Sequence, residues 1–389
     1  MSIPSLIKNK IRFDRNEFSG AFGDIGTDLP LIIGMILASG LDTASVLITY
    51  GAMQIVTALI YGIPMPVQPL KAVAMIVITQ KIAPAVIYGG GWAIGLFMLF
   101  LTLTGLINLI AKYIPKVVIR GIQFGLGIQL SMVALKDYIG GASVSGYWLA
   151  GIAFVITILL VGHRKYPPAL FVIGAGILYA LVFHLDNFTG TRLVNFSLPT
   201  FHTPGWTDLL TGFLILALPQ IPLSIGNSII ATNQIARDLF PEKKITVRKI
   251  SLTYSLINLV NPFFGGISTC HGSGGMAGHY TFGGRTGGSV FIYGLLFLTL
   301  GFFFSGSFSR IVTIFPLPVL GVILLFEGLA LMIFIKDIID SKKSFFIALL
   351  VALISCGLPY GYLIGMVTGT ALYYLSDKQV RHYLRIPWD

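Results

Sequence analysis

The sequence predicts an all-α polytopic membrane protein of fourteen transmembrane segments, arranged as two inverted seven-segment repeats. Three observations carry that reading. Of 389 residues, 55% are hydrophobic and only 11% charged, with a mean hydropathy of +0.86, which is the composition of a chain made almost entirely of spans. Two stretches, one in each half, interrupt apolar runs with residues that no lipid-facing helix tolerates. A repeat at an offset of 200 residues relates the halves.

A span needs about 20 apolar residues. Marking apolar runs gives fourteen segments near 18–39, 44–62, 64–80, 90–111, 116–135, 146–162, 167–185, 207–230, 247–264, 268–282, 288–305, 312–335, 343–357 and 359–376. With the N-terminus inside, 21 basic residues fall on inner connections and termini, among them Lys8, Lys10, Arg12, Arg15, Arg164, Lys165, Lys378, Arg381 and Arg385. Lys81, Lys136, Arg192 and Arg310 fall outside, and Lys71 lies within a segment. The net charge of +11 is therefore topological. It places both termini in the cytoplasm of a plasma (inner) membrane protein and disfavours nucleic acid as a partner. The first segment contains Asp24 and Asp28 and does not read as a cleaved signal peptide. Cys270 and Cys356 are too few for a disulfide framework.

Residues 265–288 carry ten glycines in twenty-four positions, and residues 62–75 carry Pro64, Pro66 and Pro69. Backbone that is not helical survives at membrane depth only where protein or a water-filled cavity covers it. Residues 265–270 are accordingly expected to be extended, with a half-helix from Ser273 onward, and Pro69 suits the first position of another half-helix. Helix N-termini bind anions. Broken helices at segments 3 and 10 imply an inverted-repeat transporter with its substrate between them.

The repeat aligns 116–137 with 316–337, pairing Gly121 with Gly321, Met132 with Met332, Lys136 with Lys336 and Asp137 with Asp337. Seven segments per half is an odd number, so the copies cross in opposite directions. The first repeat is read as 1–190 and the second as 205–389, joined by a polar connection over 186–206.

In segment 1, Glu17, Asp24 and Asp28 are spaced to share one helix face. Carboxylates within spans mark ion or substrate paths, although Glu17 and Asp28 could equally solvate near an interface. Gln68 precedes the first half-helix. Lys71 opposes the helix dipole, so it either pairs with Asp24 or Asp28 or contributes to an anion site. In segment 8, Gln220 and Asn227 fall two turns apart and can donate to an oxyanion without net charge; interhelical bonding serves Asn227 equally well. Segments 5 to 7 read as scaffold, with Gln123 and Gln129 their main polar groups. Segment 10 brings His271, Ser273, Gly274, Gly275, His279 and Arg285. The histidines lack zinc spacing, and Gly272-Ser273-Gly274 within a span is not a nucleophile elbow, so neither a metal nor a cofactor is expected, and no enzyme. Glu327 in segment 12 is a candidate for proton coupling or for a bond across to segment 8 or 10.

The motifs GAFGDIGTDLP, PMPVQPLKA and CHGSGGMAGHYTFGGRTGG together resemble the molybdate transporter family, the branch of the sulfate permease superfamily without a cytoplasmic regulatory domain. The resemblance implies a core domain over 17–112 and 206–305, a gate domain over 113–190 and 306–376, and dimerisation through gate-domain surfaces. It implies an oxyanion held between Gln68, Pro69 and Lys71 on one half-helix and Ser273, Gly274, Gly275 and Met276 on the other, flanked by Asp24, Thr27 and Gln220. Two half-helix dipoles of about +0.5 charge each balance roughly half of a dianion. A co-transported H+ or Na+ would supply the remainder, with Asp24, Asp28, Glu327 and His271 as coupling candidates. The expected function is secondary active import of molybdate. A sulfate transporter, an exchanger or a channel on the same fold is the nearer alternative, and a membrane-embedded hydrolase the distant one.

Overall fold

The computed structural model describes residues 10–160, 168–183 and 194–375. Lys8, Arg164, Lys165, Arg192, Lys378, Arg381 and Arg385, counted above for topology, lie outside the described residues. Helix α1 (Arg15–Gly20) starts at Asp14, whose carboxylate accepts from the amides of Asn16 and Glu17, the usual service of an N-cap. The chain then turns through 21–24 before α2 (Ile25–Ser39). Glu17, Asp24 and Asp28 therefore do not share one helix face as expected. Gly20 and Gly23 explain the break: a Cβ on Gly20 would stand 2.5 Å from the Gly284 amide nitrogen, and one on Gly23 2.5 Å from the Gly278 carbonyl. The turn is seated on the glycine-rich second half of segment 10.

Helix α3 (Thr43–Tyr61) begins at Asp42 and ends at Gly62 in the left-handed region, φ +64°. Strand β1 (Val67–Pro69) follows, then α4 (Lys71–Gln80). Pro69 thus closes a strand and does not open the helix. The first half continues with α5 (Pro84–Thr104), α6 (Leu106–Tyr113) and α7 (Lys116–Val133), which runs on as a π segment over Ala134–Ile139. Helices α8 (Val144–Leu160) and α9 (Pro168–Phe183) complete it.

The second half opens with α10 (Trp206–Leu239), longer than the expected segment and widened into π turns at Phe213–Ala217 and Ser224–Ala231. Pro219 and Pro222 remove two amide donors from this helix, and wider turns on either side relieve the ring clashes. Helix α11 (Val247–Val260) passes into a 3-10 turn at Asn261–Phe264. Strand β2 (Thr269–His271) leads to α12 (Ser273–Thr281). Helix α13 (Gly288–Ile314) overruns its expected end, so α14 starts only at Leu317, after Pro316, and runs to Met332, passing into 3-10 turns over Ile333–Ile338. Helices α15 (Lys342–Gly357) and α16 (Gly361–Leu375) close the described chain.

Among the described residues, six helices are long and apolar enough to cross a membrane: α3, α5, α7 with its π segment, α10, α13 and α14 with its 3-10 end. This is an integral membrane protein. Its interior is a continuous apolar cluster in which α4 is almost wholly buried.

Candidate functional site

Strands β1 and β2 pair antiparallel, Val67 opposite His271, Gln68 opposite Cys270 and Pro69 opposite Thr269. A two-stranded ribbon has two open edges, and hydrocarbon cannot satisfy them. Side-chain amides do so here. Gln54 of α3 donates Nε2 to the Val67 carbonyl at 2.7 Å and accepts the Val67 amide at 3.0 Å. Asn258 of α11 treats Thr269 in the same way, at 2.7 and 3.0 Å. Sequence reasoning missed both residues. The available signal was a single amide in the apolar helix that precedes each interrupted stretch.

Because the strands are antiparallel, α4 and α12 leave the ribbon at opposite ends. Their N-termini differ. That of α4 is closed by Gln220, whose Oε1 accepts from the amides of Ala72 (3.0 Å) and Val73 (3.4 Å). The Gln220 Nε2 donates to Ser224 Oγ at 3.1 Å, and Ser224 bonds Tyr254 OH at 2.7 Å. Gln220 therefore acts as a cap, with one of its two donor hydrogens engaged by Ser224. The N-terminus of α12 is open: among the described residues, the amides of Ser273, Gly274 and Gly275 have no protein acceptor, and the first returning bond runs from Met276 N to Gly272 O at 3.0 Å. Gly274 is exposed, and a Cβ there would meet nothing within 4 Å. Met276 offers neither a free amide nor a reachable side chain, being fully buried.

Asp24 and Gln68 lie beside this open end. Gln68 Nε2 donates to both Asp24 oxygens, at 2.7 and 2.8 Å. Gly275 makes room for the carboxylate, since a Cβ there would run into it and would stand 2.8 Å from Pro66 Cγ. Lys71 is half-buried. It forms no ion pair within 4.0 Å among the described residues, so the expected pairing with Asp24 or Asp28 is not made. It is close enough for its charge to act on Asp24, Asp28 and Glu327. Thr27 Oγ1 donates to Glu327 Oε1 at 3.1 Å, so the partner of Glu327 comes from segment 1 and not from segment 8 or 10. Asp28 is fully buried beneath the hydroxyls of Tyr50 and Tyr293.

Other expected residues lie away from this cluster or act as structure. The Asn227 side chain makes no hydrogen bond among the described residues; the π turn over Ser224–Ala231 breaks the seven-residue register that would have aligned it with Gln220. His271 Nε2 bonds Thr253 Oγ1 at 2.7 Å, and its ring stands edge-on to Tyr61. Glu17 is not solvated at an interface. It is buried and accepts from Arg285 N (3.0 Å), Thr286 N (2.7 Å), Thr286 Oγ1 (2.9 Å) and Ser289 N (2.8 Å). It thereby occupies the N-terminal end of α13.

A family profile described as "Molybdate transporter of MFS superfamily" matches residues 16–130 and 212–331. The chain belongs to the molybdate transporter family. It is 33% identical to molybdate transporter 2 of Arabidopsis thaliana, over 87% of this chain and 82% of that protein. It is 32% identical to molybdate transporter 1 of the same plant, over 92% and 87%, and 26% identical to molybdate transporter 1 of Chlamydomonas reinhardtii, over 90% of each. Among solved structures, the transmembrane domain of the cyanobacterial bicarbonate transporter BicA superposes with a TM-score of 0.65, at 18% identity over 94% of this chain and 98% of that one. Murine solute carrier 26 member A9, an anion transporter in its inward-facing state, gives 0.71 at 13% identity, over 95% and 69%. At such identities the likeness speaks for the fold alone. This molybdate transporter family member is thus an anion-transporter-type membrane protein and not an enzyme.

Proposed function

We propose that the chain imports molybdate, held at the open N-terminus of α12 and carried by alternating access between a core (17–112 and 206–305) and a gate (113–190 and 306–376), with a cation moving alongside. One observation carries the reading: three unpartnered amides, from Ser273 to Gly275, open onto free space at Gly274, in a neighbourhood that also holds the unpaired Lys71. Backbone amides at a helix N-terminus suit an oxyanion, and a lysine nearby adds a full positive charge. The names of the three relatives supply the substrate.

Fourteen segments in two inverted repeats, with both termini cytoplasmic, complete the reading. It is supported by the matching units β1–α4 and β2–α12, each edged by one amide from the preceding helix. Helices α7 and α14 also abandon α geometry at equivalent places, Ala134 and Ile333. A dianion entering against an inside-negative potential costs about 2.3 kcal/mol per charge per 100 mV, which favours cation symport.

Calorimetry on purified protein tests the site. Molybdate is expected to bind, to weaken with Gly274→Ala, whose methyl group enters the open space before the amides, and to resist excess sulfate. Absence of heat with molybdate, tungstate and sulfate alike would remove the proposal.

A further inference from the structure

The Tyr50 hydroxyl carries one hydrogen but meets two oxygens, Asp28 Oδ2 at 2.5 Å and the Val67 carbonyl at 2.8 Å. A carbonyl only accepts. If Tyr50 donates to Asp28, its oxygen faces the Val67 oxygen with no hydrogen between them. If it donates to Val67, a hydrogen must come from Asp28. A second observation agrees: Asp28 is fully buried and, among the described residues, its Oδ1 meets no donor, which an ionised carboxylate tolerates poorly and a neutral acid tolerates well.

We propose that Asp28 carries a proton, donated to Tyr50 and relayed by hydrogen bonding to Val67 of β1, and that this is the ion that travels with the substrate. The proposal rests on the transport reading above. The groups facing Asp28 fit it. Four residues earlier, at the N-cap of α2, Asp24 accepts Gln68 at both oxygens and takes the role of the charged carboxylate, so two neighbouring carboxyls hold one negative charge between them. Lys71 on α4 acts on both but forms no ion pair with Asp28. On β2, the buried Cys270 stands opposite Gln68 of β1. On α13, Tyr293 reaches Asp28 Oδ2 at 3.3 Å. Behind it, the buried ring of His279 on α12 stands edge-on to Tyr293, with centroids 5.7 Å apart, and both ring nitrogens lack partners among the described residues. Glu327 on α14 is held by Thr27.

The relay is a balanced one. Asp28 gives up one proton to the cytoplasmic side after release of the dianion and takes one from the outer side before the next is bound, with no other bond made or broken. Because β1 leads directly into α4 beside the site, loss of the Asp28 proton leaves Tyr50 to choose between Asp28 and Val67, which couples protonation to the ribbon.

Infrared spectra of the purified protein at neutral pH, compared with Asp28→Asn, test the proton directly. The carbonyl stretch of a protonated carboxylic acid is expected in the wild type and lost in the variant. In proteoliposomes, an inward proton gradient is expected to stimulate molybdate uptake by the wild type, and that response is expected to vanish in Asp28→Asn. An acid band that is absent from the wild type or persists in Asp28→Asn overturns the proposal, as does a variant that still responds to the gradient. Should Asp28→Asn not fold, Tyr50→Phe carries the test, because it removes the acceptor of the Asp28 proton and must shift the acid band; an unmoved band is again fatal. An acid band lost in Asp28→Asn, in a protein that binds no oxyanion, would instead refute the transport reading and leave the protonated carboxyl standing.

Discussion

Thr27 and Glu327 lie 300 residues apart and are joined by a hydrogen bond of 3.1 Å from the Thr27 hydroxyl to Glu327 Oε1. The bond ties α2 to α14, which the proposed function assigns to domains that move against each other. A neutral hydroxyl donating to a buried carboxyl contributes about 1 kcal/mol net, or roughly a fivefold population ratio. Thr27→Val is therefore expected to shift the balance of inward-open and outward-open forms about fivefold, and Thr27→Ser to restore it. Alkylation of Gly274→Cys by an impermeant thiol reagent applied to each face of oriented vesicles, in a Cys356→Ser background, reads that balance. Equal rates with and without the Thr27 hydroxyl would show that the bond does not tie the two domains.

Neighbouring glycines at the head of α12 are predicted to differ sharply. A methyl group on Gly274 enters open space, whereas one on Gly275 collides with the Asp24 carboxylate and Pro66. Gly274→Ala is expected to fold normally and to weaken molybdate binding through bulk in the site. Gly275→Ala is expected to cost about 1–3 kcal/mol of stability by overpacking and to break the Asp24–Gln68 contact. Thermal unfolding in detergent, read beside calorimetry, separates the two effects.

Glu17 is predicted to be structural. Its carboxylate receives three backbone amides and one hydroxyl at the start of α13. Glu17→Ala strands these buried donors, at about 1–3 kcal/mol for each left unsatisfied, so a severe loss of thermal stability or of folded yield is expected. Glu17→Gln keeps one acceptor oxygen and should lose less. A Glu17→Ala protein that folds normally but fails to transport would reassign this carboxylate to the ion path.

The parts of this site that were legible in the sequence are those set by local backbone chemistry. Gly272 and Ser273 mark the helix start of α12 because glycines and prolines punctuate the chain whatever surrounds them. The turn over 21–24 was not legible, since Gly20 and Gly23 are explained only by the backbone of a segment some 260 residues away. The cap that Gln220 forms on α4 was not legible: an amide donates and accepts equally well, and only the position of the α4 amides decides which end is used. Lys71 and Glu327 were legible as unusual charges, but neither the lack of an ion pair at Lys71 among the described residues nor the Thr27 partner of Glu327 was, because pairing within the membrane depends on which helices meet.

Gln54 and Asn258 offer the most discriminating test of the two-repeat architecture. Each supplies one donor and one acceptor to the outer edge of a strand, Gln54 at Val67, whose carbonyl also meets the Tyr50 hydroxyl, and Asn258 at Thr269. Replacing either by leucine leaves a buried amide and a buried carbonyl without these partners, at about 1–3 kcal/mol for each group. Glutamate and aspartate are poorer still, because they keep the acceptor and place a second acceptor against the strand carbonyl. If the ribbon is a single unit, its two edges report on the same structure. Gln54→Leu and Asn258→Leu should then each lower the unfolding temperature, and the double variant should fall short of the sum, because the first substitution has already loosened the strand that the second amide holds. Losses that add in full would mean that the two strands are stabilised independently, each by its own helix.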